Sequence, residues 1–273
     1  MAVNFQQVVE SSQESKNVGN YVLQSVQKGD HEMTTSRKVA QTESIIRRIR
    51  EKTDTVVMFH SANGKDSIAL LDMLAKEFCR VICIFMFFVD GLRHIEAYIK
   101  WATTHYPNVS FVKIQHPSVA LYRKMGLFME SANQDEETVK LGELEQAMMR
   151  YFGTQYIFSG MKGVDGFMKR MRLKMWAPWY ISPKGMVYPL ALWTNKEVLN
   201  YIHRNGLIQP TVYEDGKVSQ GIGVDYHTLT YLKSNFPDDY ERILREFPHA
   251  EVAIYDYERK QNKTEYKATG RAE

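Results

Sequence analysis

The sequence predicts an α/β fold: a doubly wound, mostly parallel sheet followed by a helical, loop-rich C-terminal part. Two observations carry this. Apolar, β-branched runs of strand length at 55–60, 81–89 and 109–115 alternate with segments of helical periodicity, which is the pattern of βαβ crossovers. These runs are continuously apolar rather than alternating, as strands covered on both faces are. The 273 residues, 44% hydrophobic and 25% charged, suit one main domain with terminal extensions and exclude a disordered chain.

Residues 1–32 are polar, rich in Gln and Ser, and broken at Gly19 and Gly29-Asp30; they read as an accessory arm with at most a short helical pattern around Val22 to Val26. Thr35 to Lys52 opens with Thr-Ser and spaces Val39, Ile45, Ile46 and Ile49 on one face, which predicts an amphipathic helix. TVVMFH at 55–60 is the first strand, SANGKDS a tight loop, and IALLDMLAKEF a helix. RVICIFMFFVDG gives a second strand ending at Asp90-Gly91. His94 to Tyr106 is the next helix and Val109 to Gln115 the third strand. A helical pattern from Glu136 to Phe152 leads into a fourth strand at Tyr156 to Phe158. MKGVDGFMKRMRLKMW, 161–176, is polar, basic text with no assigned element.

A further strand ends near Leu190, and Thr194 with Glu197 three residues on is a capping box that opens a helix closed at Gly206. Beyond 210 the chain is loop-rich until a helix from His227 to Phe247, interrupted at Pro237, and the charged tail after Tyr257 is expected to fray. The resulting division is an arm at 1–32, a nucleotide-binding domain at 33–215 and a C-terminal helix and tail at 216–273.

Composition narrows the classes. A net charge of +3 permits an anionic ligand without demanding nucleic acid. The longest apolar run, Val81 to Val89, falls far short of the ~20 residues of a membrane span, and the N-terminus lacks the pattern of a signal peptide, so a cytoplasmic protein without a membrane anchor is expected. Cys79 and Cys83 read as buried structural thiols; their spacing and the lack of a second pair or a His cluster argue against zinc.

The chemistry concentrates in SANGKDS. Gly64 allows close backbone approach, and Ser61, Asn63, Lys65 and Ser67 face the strand's C-terminal end, where open α/β sheets bind ligands. The helix beginning near Lys65 aims its free N–H groups and positive dipole end at the same place, which suits a phosphate. Asp66 beside a phosphate would repel it unless it caps the helix, binds Mg²⁺, or both; capping is favoured. A Walker-type loop is excluded, since its first Gly would fall on Phe59 and Asp66 replaces the Ser or Thr. Lys162, Lys169, Arg170 and Arg172 follow a strand end and add cationic reach for a sulfate, phosphate or pyrophosphate.

SANGKDS resembles the SGGKDS signature of PP-loop ATP pyrophosphatases, with Asn63 in place of Gly and Ala62 as a departure. The chain is similar, over roughly 40–215, to the phosphoadenylyl-sulfate reductase and ATP sulfurylase small-subunit group. FVDGLRHIEAYIKW resembles the second strand and its D-T-G motif, with Asp90 and Gly91 near the nucleotide. SGMKGVDGFMKR resembles G-x-R-x-x-E-S-x-x-R, where Gly160 matches, Lys162 and Asp165 are conservative replacements, and Lys169 takes the last basic position. VYPLALWTNKEVLNYIHRNGLIQPTVY resembles Y-P-L-x-x-W-T-x-x-D-V-W-x-Y-I followed by a Pro and a Tyr.

The resemblance implies a PP-loop-like sheet, an adenine nucleotide held by Ser61, Ala62, Asn63, Gly64, Lys65, Asp66, Ser67, Asp90, Gly91 and Gly160, and ATP with Mg²⁺ on Asp66. Lys65 and Asp66 are the implied catalytic pair. The reductases of this group attack sulfur with a C-terminal cysteine, and no cysteine follows Cys83. Thiol-dependent reduction and a Cys-ligated iron–sulfur cluster are therefore not expected. What remains is adenylyl transfer with loss of pyrophosphate, within sulfur metabolism. Two alternatives stay open: a nucleotide-binding subunit that works only with a protein partner or as a homo-oligomer, and a tRNA or DNA sulfur-modification enzyme, although nucleic-acid binding is not indicated by the charge pattern.

Overall fold

The computed structural model describes the backbone of residues 24–212 and 223–269, and the side chains of 36–212 and 223–261. Two compact units are present, Met1–Val39 and Ala40–Glu273. The arm at 1–32 lies mostly outside the described residues.

Five strands, β1 Thr55–His60, β2 Arg80–Phe87, β3 Val109–Gln115, β4 Ile157–Phe158 and β5 Met186–Val187, form one sheet in the order β3-β2-β1-β4-β5. Every pairing is parallel, with Val57 opposite both Ile82 and Ile157. The chain winds outward from β1 to β2 and β3, then returns to β4 and β5 on the other side. The strand order therefore reverses between β1 and β4, and that reversal opens a crevice at the strands' C-terminal ends.

Helices α1 Gln24–Arg50, α2 Lys65–Glu77, α3 Arg93–His105, α4 Pro117–Met125 and α5 Leu141–Phe152 come before β4. Helices α6 Phe167–Met175, α7 Asn195–Arg204, α8 Tyr226–Asn235, α9 Pro237–Glu246 and α10 Val252–Thr269 follow it. The core is the sheet and the helix stripes that cover it: Val56, Val57, Met58, Ile84, Leu70, Leu71, Leu74, Ile45, Ile46 and Ile49 are nearly or wholly shielded. Trp193 is buried and donates its indole N–H to Thr42 Oγ1 at 2.9 Å, while Thr42 donates to the Pro189 carbonyl at 2.8 Å, so α1 is tied to the segment after β5.

Several elements differ from the sequence expectation. α1 runs through Gly29 and Asp30, where breaks are expected. α4 is unanticipated although its ends are signalled: Pro117 stands at the first turn, and Gly126 closes it at φ 68°. α6 reads as irregular basic text because only Leu173 of its nine residues is buried, so it lacks a core-facing stripe. α10 is helical where fraying is expected. Cys79 is exposed rather than buried, since it lies just before β2 begins; Cys83 is buried, and burial pushes its thiol up. Among the described residues no helix is long and apolar enough to cross a membrane.

Candidate functional site

A cavity of about 460 Å³ opens at the C-terminal ends of β1, β2 and β4, lined by Ser61 of the first loop, Asp66 and Ser67 of the first turn of α2, Ser159, Gly160, Met161 and Asp165 after β4, and Lys169 of α6. Phe85, Met86, Phe88 and His116 form the wall on the β2 side. The loop is built from its own residues. His60, the last residue of β1, is buried and accepts the Ala62 N–H on Nδ1 at 2.9 Å, while its Nε2 meets the Tyr98 hydroxyl at 3.0 Å. Burial holds the His60 ring at about 3, so it is neutral and can accept at Nδ1. Ala62 takes a left-handed φ of 49°, and the Gly64 N–H returns to the Ser61 carbonyl at 3.3 Å, which closes the turn onto α2.

Ser67 Oγ accepts the Ser61 N–H at 3.0 Å and lies 2.9 Å from Ser61 Oγ. Two hydroxyls sharing one contact leave one hydroxyl hydrogen free for a ligand oxygen. α2 is capped by Gly64 without any side-chain acceptor, so the N–H groups of its first turn stay available at the cavity. The expected capping role of Asp66 is corrected: its Oδ2 instead lies 2.5 Å from Lys162 Nζ and 3.4 Å from Lys65 Nζ.

Lys162 is fully buried and also reaches Asp165 Oδ1 at 3.1 Å; it is in ion-pair contact with both carboxylates yet aligned for a hydrogen bond with neither. Two ammonium groups and two carboxylates thus neutralise one another at the cavity wall, the carboxylates of Asp66 and Asp165 on its lining and the lysines buried behind them. Gly160 allows a close approach here: a Cβ would stand 3.0 Å from Asp66 Cβ and 3.3 Å from its carbonyl carbon, tighter than side chains ordinarily pack. The loop after β4 therefore seats directly on the first turn of α2.

The expected residues separate into three groups. Ser61, Asp66, Ser67, Gly160 and Lys169 line the cavity. Ala62, Asn63 and Gly64 shape the loop without lining the cavity, with Asn63 Nδ2 donating to Thr211 Oγ1 at 3.3 Å. Lys65 is only 2% exposed, so it is a fixed internal cation rather than a mobile one, and Lys162 likewise serves the interior.

The remaining expected residues lie elsewhere. Arg170 donates to the Gly163 carbonyl at 3.3 Å, and Arg172 is exposed; neither lines the cavity. Asp90 is exposed and pairs with Lys113 at 2.8 Å, while Arg242 on α9 takes the Asp90 and Gly91 carbonyls. His116 and Phe88 are lining residues that the sequence did not reveal. The ring of His116 stacks on Phe88 at 4.8 Å, caps α4 by accepting the Ser118 N–H, and is kept below the ordinary histidine range by burial. Its one signal was the Pro117 that follows it, which marks a helix start.

A parallel sheet with a serine-rich strand–loop–helix cradle at its switch point makes this an α/β protein of the PP-loop kind. More narrowly, the chain belongs to the phosphoadenosine phosphosulfate reductase domain family, whose model matches residues 55–243. No curated protein matches it. Two solved structures are among those it is similar to. U34-tRNA thiolase NcsA from Methanococcus maripaludis, with its [4Fe-4S] cluster, is 16% identical with a TM-score of 0.39, covering 82% of this chain and 80% of that one. NH3-dependent NAD synthetase from Campylobacter jejuni, in complex with nitrate, is 12% identical with a TM-score of 0.40, covering 80% and 94%.

The cofactor expectation, ATP with Mg²⁺ and no iron–sulfur cluster, is corrected here: NcsA holds a [4Fe-4S] cluster, and neither ATP nor Mg²⁺ is established for this chain. Asp66, the expected Mg²⁺ ligand, is already engaged by two ammonium groups. Among the described residues no group of three or more His, Cys, Asp or Glu is placed to hold a metal ion.

Proposed function

We propose that the cavity binds an adenine nucleotide with its phosphates over the first turn of α2, and that the chain cleaves between the α- and β-phosphates to adenylylate an acceptor. The observation that carries this is the convergence, on one cavity, of an uncapped helix N-terminus, the Ser61–Ser67 hydroxyl pair and the exposed ammonium of Lys169. In the reaction an acceptor oxygen bonds to the α-phosphorus, the bond from that phosphorus to the bridging oxygen breaks, and pyrophosphate leaves with the electron pair. The chain's part is positioning and charge neutralisation: the serine hydroxyl and the α2 N–H groups hold phosphate oxygens, and Lys169 offsets the charge growing on the leaving group.

A thiol route through this chain's own cysteines does not fit the geometry. Cys79 precedes the far end of β2, about 20 Å along the strand from Phe85 at about 3.3 Å per residue. Cys83 is nearer but wholly buried, with its thiol pushed up. The test is calorimetric titration with ATP, adenylyl sulfate and pyrophosphate, followed by product analysis with α-labelled ATP as substrate. Lys169→Ala and Ser67→Ala should each weaken pyrophosphate binding by roughly tenfold, about 1.4 kcal/mol. Absence of binding by all three compounds would refute the reading.

A further inference from the structure

We propose that His116 determines which nucleotide the cavity accepts, by donating its Nε2–H to a ring nitrogen of the base; the inference rests on the phosphate reading above. The wall on the β2 side is formed by Phe85, Met86, Phe88 and His116, and of these side chains only the imidazole carries hydrogen-bonding nitrogen. The β4 side is polar and charged, with Ser159, Asp165 and Lys169, so the apolar faces of a base belong on the β2 side. A planar group against such a wall is held by apolar contact, and one polar atom fixes its orientation.

The ring is held from several directions. Its Nδ1 accepts the Ser118 N–H at 3.1 Å, as the cap of α4. Its plane stacks on Phe88 with centroids 4.8 Å apart and 19° between planes, and Phe88 is in turn met by Tyr122 of α4 at 5.8 Å. The backbone N–H of His116 donates to the Phe87 carbonyl at 2.8 Å, which continues the β2–β3 ladder and sets the residue beside the end of β2. An Nδ1 that accepts has no proton, so the neutral ring carries its proton on Nε2. Burial and the positive end of α4 both oppose a second proton. Among the described residues Nε2 has no hydrogen-bond partner, so the wall presents a donor of fixed tautomer and orientation.

Other roles for this ring fit less well. Capping alone is met better by Ser, Thr, Asp or Asn, none of which offers an N–H on the far side of a ring. A general base needs a free lone pair, whereas Nε2 carries the proton and the Nδ1 lone pair serves Ser118. An imidazolium paired with a phosphate would protonate Nδ1 and leave the Ser118 N–H without its acceptor. A neutral donor on an apolar wall instead suits a neutral acceptor such as an unprotonated ring nitrogen. An analogue with C–H at that position leaves the donor desolvated and unpaired, and the site rejects it.

The test is calorimetric titration of the full chain with ATP, with the deaza analogues of ATP in which one acceptor nitrogen of the base is replaced by C–H, and with pyrophosphate. Wild type should bind at least one analogue roughly tenfold more weakly than ATP, and His116→Asn, which keeps the cap, should bind ATP and that analogue equally. Pyrophosphate, which has no base, should bind both proteins alike. His116→Gln, which restores a donor near the Nε2 position but not the cap, should recover the preference for ATP while lowering the thermal midpoint. A preference that persists in His116→Asn overturns the inference, as does a wild type that binds ATP no better than any analogue. So does the reverse pattern, His116→Asn behaving as wild type and His116→Gln weakened, which marks a residue that only caps α4. Any of these failures with pyrophosphate still bound sinks the inference alone, whereas a chain that binds none of the ligands sinks the phosphate reading and this inference with it.

Discussion

Replacing Lys162 with Met removes the charge at the centre of the buried cluster while keeping most of the side chain's volume. Lys162 lies 2.5 Å from Asp66 and 3.1 Å from Asp165 and is wholly shielded from water. At an effective dielectric constant of about 20, each contact is worth roughly 5 kcal/mol of attraction, and burial of each ion gives back several kcal/mol of that. The net value of the cluster is therefore small, yet removing one member is costly, because Asp66 and Asp165 are left as neighbouring carboxylates without their shared cation. The expected loss is about 3–5 kcal/mol, a large part of the 5–15 kcal/mol typical of a folded domain. Asp66→Asn should cost less, about 1–3 kcal/mol, since Lys162 keeps Asp165. Urea unfolding of both variants at neutral pH measures the difference. A Lys162→Met loss below about 1 kcal/mol, or a larger loss for Asp66→Asn than for Lys162→Met, refutes the claim that Lys162 neutralises this pair.

Other expectations follow from single contacts. Because His60 is held at about 3 in the fold and titrates near 6.5 when unfolded, its contribution is complete above pH 6.5 and is lost as the unfolded chain takes up a proton below it. Between pH 6.5 and 5 this amounts to roughly 2 kcal/mol, visible as a steep fall in urea midpoint that a His60→Asn variant should flatten. Gly160→Ala should destabilise by about 1–3 kcal/mol and weaken pyrophosphate binding, since its Cβ forces the β4 loop off α2; unaltered stability and binding would show that the loop can shift freely. Thr194→Ala should cost about 1 kcal/mol, because Thr194 Oγ1 accepts the Glu197 N–H at 3.3 Å and its own N–H donates to Glu197 at 2.7 Å; thermal unfolding reads this directly. In the native chain a thiol reagent should label Cys79 and spare Cys83 until urea unfolds the sheet; two reactive thiols under native conditions would contradict the burial of β2.

The elements that could be read from sequence are those whose pattern and environment agree. β1 and β3 have their predicted bounds because uninterrupted apolar runs have few other uses in a chain of this composition. Thr194 and Glu197 make the reciprocal cap that their spacing implies, since a capping box is satisfied within four residues. α6 was not legible because its apolar residues face solvent, so periodicity had no core to report. At the cavity, Ser61 and Ser67 lie at the C-terminal end of β1, where a local strand–loop–helix argument directs them. Lys65 and Lys162 were assigned to the ligand because lysines near a phosphate loop usually reach it, and nothing in the order of residues shows that Asp66 and Asp165 claim them first.

By itself, the sequence determined the parallel α/β sheet, the position of the strand–loop–helix cradle and the family, because each is fixed by periodicity or by residues adjacent in the chain. Only the tertiary structure decided which charges face the cavity. Lys162 meets Asp66 across ninety-five intervening positions, Arg242 takes the carbonyls of Asp90 and Gly91, which do not line the cavity, and His116 enters it from the far wall. Coulomb attraction and burial act through space, so a cation's partner is set by where the strands bring it, not by the residues beside it in the chain.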